Sequence, residues 1–417
     1  MTDKQPIELH SRVVRECQIC GSHDLTSVLF LGYLPPVNRV RPIGERPAEE
    51  DWYPAQLLFC PACTLVQLGL VVDATILFPK DYPYTSSTTR ALRENFAEFF
   101  QETRDLLQLQ RSDLVLDIGS NDGNLLSNFQ GYCRTVGVTP EDVGQIAMSR
   151  GIPTIQAYFG PGIESLVKTE FGRPRVITAT NVFAHIDAID SVVETILSLL
   201  TDDGIFISES HYLLALLENL QYDTIYHEHL RYYSLTSLSA LLHKHGLEVF
   251  HVKEIPTHGG SIRVYAARRG TQPVRPSVRT QLQKEKEKLL TEAVLAGFAG
   301  RVATSKLTLL GVVKQIKEQG QRIFGIGAPS RASTLINYVG IDDRMLDCVV
   351  EVTGSHKIGN YVPGTLIPIF EERRLFTEQP DYALLLSWHI SDELIPKIRE
   401  KGYRGRFVIP LPEPRIV

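Results

Sequence analysis

The sequence predicts an α/β protein in which a small, loop-rich N-terminal module precedes two Rossmann-like domains. Three observations lead to this prediction. Two Cys-x-x-Cys pairs lie near the N-terminus, one glycine-containing turn follows an apolar run at residues 117–123, and a second such turn lies at residues 325–330. Short apolar runs that alternate with helical segments are typical of parallel sheets with right-handed crossovers. We expect the domains to span residues 1–75, 76–267 and 268–417.

Composition and charge narrow the class of protein. The chain has 417 residues, of which 43% are hydrophobic and 22% are charged, as in ordinary globular proteins. The net charge of −5 gives no reason to expect nucleic acid or an anionic membrane as a partner. The N-terminus lacks a signal-peptide pattern, and no run approaches the ~18 apolar residues of a spanning helix. We therefore expect a cytoplasmic protein, and no obligate protein partner is evident.

The four patterned cysteines predict a metal site. Cys17 and Cys20 form one Cys-x-x-Cys pair, and Cys60 and Cys63 form the second. Each pair can present two thiolates to one tetrahedral ion, so together they make a four-cysteine zinc site. A disulfide framework fits poorly with a cytoplasmic chain, and a redox Cys-x-x-Cys would not come twice. With four protein ligands the site is closed, so we expect the zinc to be structural.

The turn at residues 117–123 is the most informative feature of the chain. It reads Asp-Ile-Gly-Ser-Asn-Asp-Gly after the apolar run 114–116, which predicts a strand, a tight turn and a helix. A nicotinamide-binding turn is G-x-G-x-x-G with its acidic group about 20 residues later. Here the acid ends the strand, which suits a cofactor with a cationic amino-acid tail and no pyrophosphate, S-adenosylmethionine; the alternative is an ordinary βα turn. The expected cofactor contacts are Asp117, Gly119, Asn121, Asp122 and Gly123.

Later strands of the same sheet add three candidate residues. An acid usually binds the cofactor ribose after the second strand, but Thr139 stands there and Glu141 comes two residues late. The fourth strand ends just before Asn181 and His185. Ligands of open α/β sheets bind at the carboxyl ends of strands, so Asn181 is expected to reach the methionine tail and His185 the substrate. A histidine at this place can equally be a structural residue.

The segment Tyr226-His227-Glu228-His229 is the strongest catalytic candidate. It carries two imidazoles, a carboxylate and a phenol just beyond the predicted sheet. Histidine titrates near neutral pH, and a neighbouring carboxylate can orient it. The spacing is not the H-E-x-x-H of a metalloprotease. The alternative is a surface helix that carries imidazoles by chance.

The C-terminal part begins after one or two long polar helices expected at residues 277–320. Gly325 and Gly327 follow a strand, although the third glycine of a dinucleotide fingerprint is missing. The backbone N–H groups of such a turn form an anion site with the next helix N-terminus, to which Arg331 can add charge. Glu351 ends the following strand. We expect a diphosphate-bearing substrate here; the alternative is a purely structural Rossmann half.

Together these motifs resemble one family almost from end to end, the nucleotide-sugar C-methyltransferases that install a branch methyl on deoxysugars for antibiotic and surface-glycan pathways. The combination is far more specific than any single motif. The resemblance covers the double Cys-x-x-Cys and residues 81–87, 117–123, 181–185, 226–229, 325–329, 357–365 and 387–388.

The resemblance implies a fold and a reaction. The fold is α/β, with a zinc-binding N-terminal module, a central Rossmann-like S-adenosylmethionine domain and a C-terminal Rossmann-like domain that binds a dTDP-4-keto-6-deoxysugar. Methyl transfer to C-3 would occur between the last two domains. His229 would be the base. The groups implied around the sugar are Tyr226, Glu228, His185 and one of Tyr82 and Tyr84, and those implied in the nucleotide-sugar domain are Gly325, Gly327, Arg331, Glu351 and Trp388.

The chain departs from the family pattern in the C-terminal domain. Ser330 and Arg331 stand where Ala-Lys is frequent, Leu366 where His is frequent, His389 where Asn is usual, and Glu351 where Asp is more usual. An O- or N-methyltransferase of another small metabolite therefore stays open as the alternative. A zinc-bearing scaffold without turnover is a third possibility, against which the intact His-Glu-His segment argues.

Overall fold

The computed structural model describes residues 11–78, 86, 90–288 and 291–417. Tyr82 and Tyr84, two of the expected site residues, lie outside these described ranges. Within them the chain folds into an α/β protein with a small N-terminal sheet and two larger, mainly parallel sheets. This is the fold class that the sequence predicts.

The N-terminal module is a small antiparallel sheet. Side chains of its second long strand alternate between buried and partly exposed positions, as expected when one face packs on a core. The paired strands run in the order β5-β4-β2, and β1 pairs separately with β6. The strands are β1 (Arg12–Val13), β2 (Thr26–Leu34), β3 (Arg41–Pro42), β4 (Tyr53–Phe59), β5 (Val66–Leu68) and β6 (Leu70–Val71).

The central domain is a sheet covered by helices on both faces. Its strands run in the order β13-β14-β11-β10-β7-β8-β9, parallel except for β13 and β14. The strands are β7 (Leu114–Ile118), β8 (Arg134–Val138), β9 (Thr154–Ile155), β10 (Val176–Thr180), β11 (Ile205–His211), β13 (Leu247–Ile255) and β14 (Ser261–Arg268). The helices are α1 (Ala74–Leu77), α2 (Arg90–Leu107), α3 (Asn124–Phe129), α4 (Gly144–Ser149), α5 (Ile163–Glu170), α6 (Ile189–Leu199), α7 (Leu213–Glu218) and α8 (Leu235–Lys244).

Residue type explains why β7 and β10 lie in the middle of this sheet. β7 reads Leu-Val-Leu-Asp-Ile and all five of its residues are buried. Strands that are covered on both faces read as continuous apolar runs. The strand order reverses between these two strands, which makes the gap beyond their carboxyl ends the expected ligand site.

The C-terminal domain repeats this plan on a smaller scale. Its strands run in the order β18-β16-β15-β19-β20-β21, parallel except for β21, and the order reverses between β15 and β19. The strands are β15 (Ile323–Ile326), β16 (Cys348–Glu351), β17 (Asn360–Tyr361), β18 (Ile369–Glu371), β19 (Tyr382–Leu385), β20 (Arg406–Ile409) and β21 (Arg415–Ile416). Its helices are α11 (Ser330–Val339), α12 (Arg373–Glu378) and α13 (Ser391–Glu400). Two further helices, α9 (Pro276–Lys288) and α10 (Glu292–Glu318), connect it to the central domain, against which α9 packs.

The two helices between the domains differ from each other, and the expectation that both are polar is wrong for the second. The charge run lies entirely in α9. α10 contains an 18-residue window with a mean hydropathy of 1.2, long and apolar enough to cross a membrane by length and composition, of which 28% is buried. Its buried side chains, which include Phe298 and Leu309, pack in the core shared with β2 and the C-terminal sheet.

Two short strands join the three parts of the chain. β12 (Arg231–Tyr232), from the segment that follows His229, pairs with β5 of the N-terminal sheet. β17 of the C-terminal domain pairs with β3. The N-terminal module is therefore hydrogen-bonded to both larger domains, close to the catalytic candidate.

Candidate active site

A cavity of about 1670 Å³ lies where the carboxyl ends of the two parallel sheets face each other. The central domain lines it with segments that follow β7, β8, β10 and β11, and the C-terminal domain with segments that follow β15, β16 and β19. Ligands of open α/β sheets bind outside the strand carboxyl ends at the switch points. The two expected ligand sites therefore open into one space.

In the central half of the cavity, Asp117 and Gly119 lie at the end of β7. Gly119 has a φ of +69°, and a Cβ built there would approach Val182 Cγ2 to 2.8 Å. Asp117 is 2% exposed and accepts a hydrogen bond from Thr178 Oγ1 at 2.6 Å. Burial raises the pKa of Asp117 to about 7, although this hydrogen bond opposes the shift. A buried carboxylate of this kind fits a ligand with a cationic group.

The rest of the turn after β7 is tied to Ser86. The Ser86 backbone N–H donates to Asn121 Oδ1 at 2.9 Å, and its hydroxyl donates to Asp122 Oδ1 at 2.6 Å. Of the expected contacts, Asn121 lines the cavity, whereas Asp122 and Gly123 do not. The last two hold the turn in shape, because Asp122 is buried against Ser86 and a Cβ at Gly123 would approach the Cβ of Ala147 to 2.9 Å.

Thr139 and Asn181 also line the cavity. Thr139 donates a hydrogen bond to the carboxylate of Glu141. Glu141, which lies two residues after the position where an acid is usual, therefore lines the same wall of the cavity as Thr139. Asn181 has a left-handed backbone with a φ of 55°. Its Oδ1 is buried and has no hydrogen-bond partner among the described residues. An N–H group of a bound ligand would satisfy this atom.

His229 has a defined protonation pattern. Its Nδ1 lies 2.8 Å from the backbone carbonyl oxygen of Thr224. Because a carbonyl oxygen can only accept, Nδ1 carries the proton and Nε2 keeps its lone pair. Burial lowers the pKa of His229 to about 4, and the positive charge of Arg331 acts in the same direction. The ring is therefore an uncharged base at neutral pH.

Other uncharged rings surround His229. The ring centroids of Tyr226, His185 and His211 lie 4.3, 5.0 and 5.0 Å from its own. Burial lowers the pKa of His185 and of His211 well below the ordinary value for histidine, and it raises the pKa of Tyr226 well above that of a free phenol. The cluster can therefore donate and accept hydrogen bonds without carrying charge.

Glu228 lines the cavity and connects three parts of the chain. Asn38 Nδ2 donates to Glu228 Oε1 at 2.8 Å, and Ser330 Oγ donates to Asn38 Oδ1 at 3.0 Å. Burial lowers the pKa of Lys357, and the carboxylates of Glu351 and Glu228 oppose this shift. The carboxylate beside the base is thus held by the N-terminal module and lies near a partly buried cation of the C-terminal domain.

The glycine turn of the C-terminal domain already holds an anion of the chain itself. Glu351 accepts hydrogen bonds from the backbone N–H groups of Ala328, at 2.5 Å, and Val352, at 2.8 Å. Lys357 Nζ donates to the Ala328 carbonyl oxygen at 2.8 Å. Gly327 and Glu351 line the cavity, whereas Gly325 does not. The expected anion site must therefore use groups other than the Ala328 N–H.

Arg331 and Trp388 form a buried network with the central domain. Arg331 binds Asp223 through Nε and Nη2, both at 2.8 Å, and Nη2 also donates to Gln221 Oε1 at 3.2 Å. Trp388 Nε1 donates to Asp223 Oδ2 at 2.7 Å, and the Arg331 guanidinium lies over the Trp388 ring. Arg331 lines the cavity and Trp388 does not. The charge of Arg331 is thus largely neutralised by Asp223.

Three family profiles match consecutive parts of the chain. They describe a zinc binding domain at residues 17–78, a methyltransferase domain at residues 84–252 and a C-methyltransferase C-terminal domain at residues 256–412. The C-methyltransferase NovU of Streptomyces niveus is 33% identical over 411 residues, which cover 97% of this chain and 97% of that protein. The chain belongs to the S-adenosylmethionine-dependent C-methyltransferase family.

Among solved structures, this C-methyltransferase is similar to an S-adenosylmethionine-dependent methyltransferase from Clostridium acetobutylicum, at 14% identity over 44% of this chain and 94% of that one, with a TM-score of 0.34. A magnesium protoporphyrin IX methyltransferase from Synechocystis with bound SAH has 12% identity over 42% of this chain and 82% of that one, with a TM-score of 0.33. Likenesses this low carry no argument about function.

The four cysteines of this C-methyltransferase form a zinc site. Their sulfur atoms all lie within 4.8 Å of one another, with Cys17 and Cys63 at 3.4 Å and Cys20 and Cys60 at 3.5 Å. Zinc–sulfur bonds of about 2.3 Å in a tetrahedron place sulfurs roughly 3.8 Å apart, so the cluster fits the ion. Four protein ligands close the site, and the zinc is structural.

Among the titratable residues that line the cavity, His211, His258 and Lys357 were given no role from the sequence. His211 ends β11 and could have been found by the strand-end rule that indicates His185. His258 precedes two glycines between β13 and β14, a pattern that signals a tight turn but no ligand. Lys357 opens a segment that carries the family resemblance, without a local signal for its role.

Proposed function

We propose that this C-methyltransferase adds a methyl group at C-3 of a dTDP-linked 4-keto-6-deoxysugar, through an enolate that His229 generates. The observation that carries the proposal is the His229 ring, because it is uncharged and its Nδ1–H is engaged by Thr224. Nε2 is then the atom that can accept a proton from carbon. The end-to-end family resemblance supports the choice of a keto-sugar.

The proposed reaction begins with removal of the C–H beside the ketone by His229 Nε2. The electrons of that bond form the enolate, and its negative charge needs donors that are fixed in advance. Tyr226, whose pKa burial raises well above the ordinary value, keeps its phenol proton and can donate it as a hydrogen bond. The His229 imidazolium that results retains its bond to the Thr224 carbonyl.

S-Adenosylmethionine supplies the electrophilic methyl group when it is bound. We propose that Asp117 and Asn181 hold its methionine end, that Gly119 allows its close approach, and that Thr139 with Glu141 faces its ribose. Binding the substrate and the cofactor in one cavity makes their reaction effectively unimolecular, which lowers the activation free energy of methyl transfer.

In the C-terminal half, we propose that the nucleoside diphosphate lies beyond Gly327 at the start of α11. Lys357 is the nearby, partly buried cation, and desolvation lowers its pKa. Because the charges of a diphosphate favour protonated neighbours, substrate binding should also raise the pKa of His229 and strengthen it as a base.

Mass spectrometry tests the proposed function. The enzyme is incubated with S-adenosylmethionine and a panel of nucleotide-linked keto-sugars, with other small carbonyl, hydroxyl and amine compounds alongside. We expect a keto-sugar nucleotide to gain a single methyl group on carbon. Methylation of an oxygen or nitrogen in another acceptor, with no reaction of any keto-sugar, would contradict the proposal.

Deuterium at the carbon beside the ketone tests the enolate. The label should wash out into water without methyl transfer when a cofactor analogue that lacks the methyl group replaces S-adenosylmethionine. Retention of the label under these conditions, in an enzyme that does methylate the unlabelled sugar, would remove the enolate from the mechanism while leaving the substrate assignment intact.

A further inference from the structure

His258 occupies a strained turn on the wall of the cavity. It lies between β13 and β14 with φ 56° and ψ 18°, a left-handed conformation that residues with a Cβ rarely adopt. Such conformations persist only where surrounding contacts impose them, and they cluster at functional sites. The strain alone assigns no role to His258, and the contacts of its ring are needed to infer one.

The turn is held from several sides. Gln221 Nε2 donates to the Gly259 carbonyl oxygen at 2.7 Å, and Ser261 Oγ donates to the Thr257 carbonyl oxygen at 3.0 Å. A Cβ at Gly259 or at the next glycine would come within 2.6 Å of its neighbours, so both positions are closely packed and need glycine. The fold therefore fixes where the side chain of His258 emerges.

The imidazole of His258 has an unused nitrogen. Its Nε2 is buried and has no hydrogen-bond partner among the described residues. The ring centroid lies 5.3 Å from that of His211, which in turn lies 5.0 Å from that of His229. A buried polar atom without a partner is rare in native proteins and calls for a ligand, a water or a catalytic role.

The charges around this ring favour an anionic oxygen as its partner. Burial lowers the pKa of His258 to about 4, and the positive charge of Arg331 acts in the same direction. In the part of the chain that the structure describes, no carboxylate contributes to this shift in pKa. The ring is thus an uncharged donor with no carboxylate among the described residues acting on it, which suits an oxygen that becomes negative during a reaction.

We propose that His258 is a further catalytic residue, which donates a hydrogen bond from Nε2 to the carbonyl oxygen of the acceptor as His229 removes the neighbouring proton. The C–H electrons move into the carbonyl, its oxygen gains negative charge, and the His258 proton stays on its nitrogen. A neutral imidazole can stabilise an enolate in this way. This inference rests on the proposed function and adds a donor on the side of the cavity that His211 and Arg331 form.

Two substitutions test the role without disturbing the turn. Glycine and asparagine both accept a left-handed backbone, so His258→Gly removes the donor and His258→Asn keeps a shorter one. The matched control is Gln108→Gly, because Gln108 is exposed, has a φ of 48° and does not line the cavity. kcat, the rate of deuterium exchange beside the ketone, the Kd for S-adenosylmethionine and the Tm are measured for each.

We expect His258→Gly to lower kcat and deuterium exchange together by about 100-fold, as loss of one oxyanion donor does. His258→Asn should lose less activity and should melt no lower than the wild type, because backbone strain is relieved. Both should bind S-adenosylmethionine normally, and Gln108→Gly should match the wild-type kcat.

Near-wild-type kcat in His258→Gly would overturn the inference, as would a loss of activity in His258→Asn that accompanies a fall in Tm, which indicates a structural role. Failure of the wild-type enzyme to methylate any keto-sugar nucleotide would overturn the proposed function, and this inference with it. The first two outcomes leave the proposed function standing.

Discussion

Burial sets the charge state of the residues around the cavity. The pKa values of the histidines at 185, 211, 229, 258 and 389 are all lowered, and burial is the largest cause in each case. Sequence analysis could name His185 and His229 as candidates because strand ends and clustered imidazoles are visible in a pattern. It could not show their charge, because desolvation depends on the residues packed around each ring.

The first prediction concerns His229 as the base. His229→Asn can still donate to the Thr224 carbonyl but has no basic nitrogen. We expect kcat to fall by about 10²- to 10⁴-fold, the usual contribution of a positioned base. Deuterium exchange beside the ketone should be lost in parallel, while calorimetry should show unchanged affinity for S-adenosylmethionine.

His243→Asn is the matched control for this experiment. His243 is exposed on α8, pairs with Arg269 and does not line the cavity. Its kcat should equal that of the wild type. Full activity of His229→Asn would remove residue 229 from the role of base.

The second prediction concerns Asp117 and pH. Burial raises the pKa of Asp117 to about 7, so below this pH the carboxyl is mostly protonated. If the ionised form holds the cationic end of S-adenosylmethionine, affinity should rise about tenfold per unit as pH increases towards 7 and then level off. Calorimetry in buffers of different ionisation heat should also show proton release on binding near pH 6.

Asp117→Asn has no carboxyl to titrate and serves as the comparison. Its affinity should be lower than that of the wild type at pH 8 and should vary little between pH 6 and 8. An unchanged pH dependence in this variant would mean that another group is responsible.

At the scale of elements, the zinc site is linked to the catalytic segment through two strands. The second cysteine pair, Cys60 and Cys63, directly precedes β5, and β5 pairs with β12. The Leu68 N–H donates to the Leu230 carbonyl oxygen at 3.0 Å, and Leu230 is the residue after His229. The four cysteines do not line the cavity, yet hydrogen bonds between strands link the zinc site to the catalytic segment.

The third prediction follows from this link. Removal of zinc with a chelator should lower both the Tm and the activity in proportion to the zinc content. Without zinc, the segment before β5 is no longer fixed, and the pairing of β5 with β12 is weakened. Cadmium also accepts four thiolates, so reloading with cadmium should restore kcat. Full activity in a zinc-free enzyme, or an inactive but fully folded cadmium enzyme, would contradict a purely structural role.

At the scale of the whole molecule, the cavity exists because three parts of the chain are joined around it. Arg331 of α11 and Trp388 both bind Asp223 of the central domain, and Asn38 of the N-terminal module bridges Glu228 and Ser330. The Arg331–Asp223 pair is nearly inaccessible, with side-chain exposures of 7% and 0%. It fixes the orientation of the two sheets towards each other.

The fourth prediction tests this buried pair. Asp223→Leu leaves the Arg331 charge without its partner, and we expect a loss of about 3–5 kcal/mol in the free energy of unfolding. The double variant with Arg331→Leu should lose less than the sum of the two single variants, since neither charge is then left alone. Urea unfolding of all four proteins gives the coupling; additive effects would mean that the pair does not join the domains.

The class of fold and the zinc ligands could be predicted from the sequence alone, because each depends on residues that are close in the chain or on a repeated spacing. The expectations for Arg331 and Glu351 show where this reasoning ends. Arg331 was expected to add charge to an anion site and Glu351 to belong to the substrate site, and both line the cavity. Their hydrogen bonds to Asp223 and to the Ala328 N–H could not be predicted from the sequence.

Which residues share the cavity could be read from the folded structure and not from the sequence. Asp223 lies 108 positions before Arg331, His258 reaches the wall through a turn held by Gln221, and Asn38 comes from another sheet. Local pattern reflects propensity and periodicity, whereas these contacts arise when strand ends of separate domains meet and water leaves the space between them. Burial then sets the protonation states on which the proposed chemistry depends.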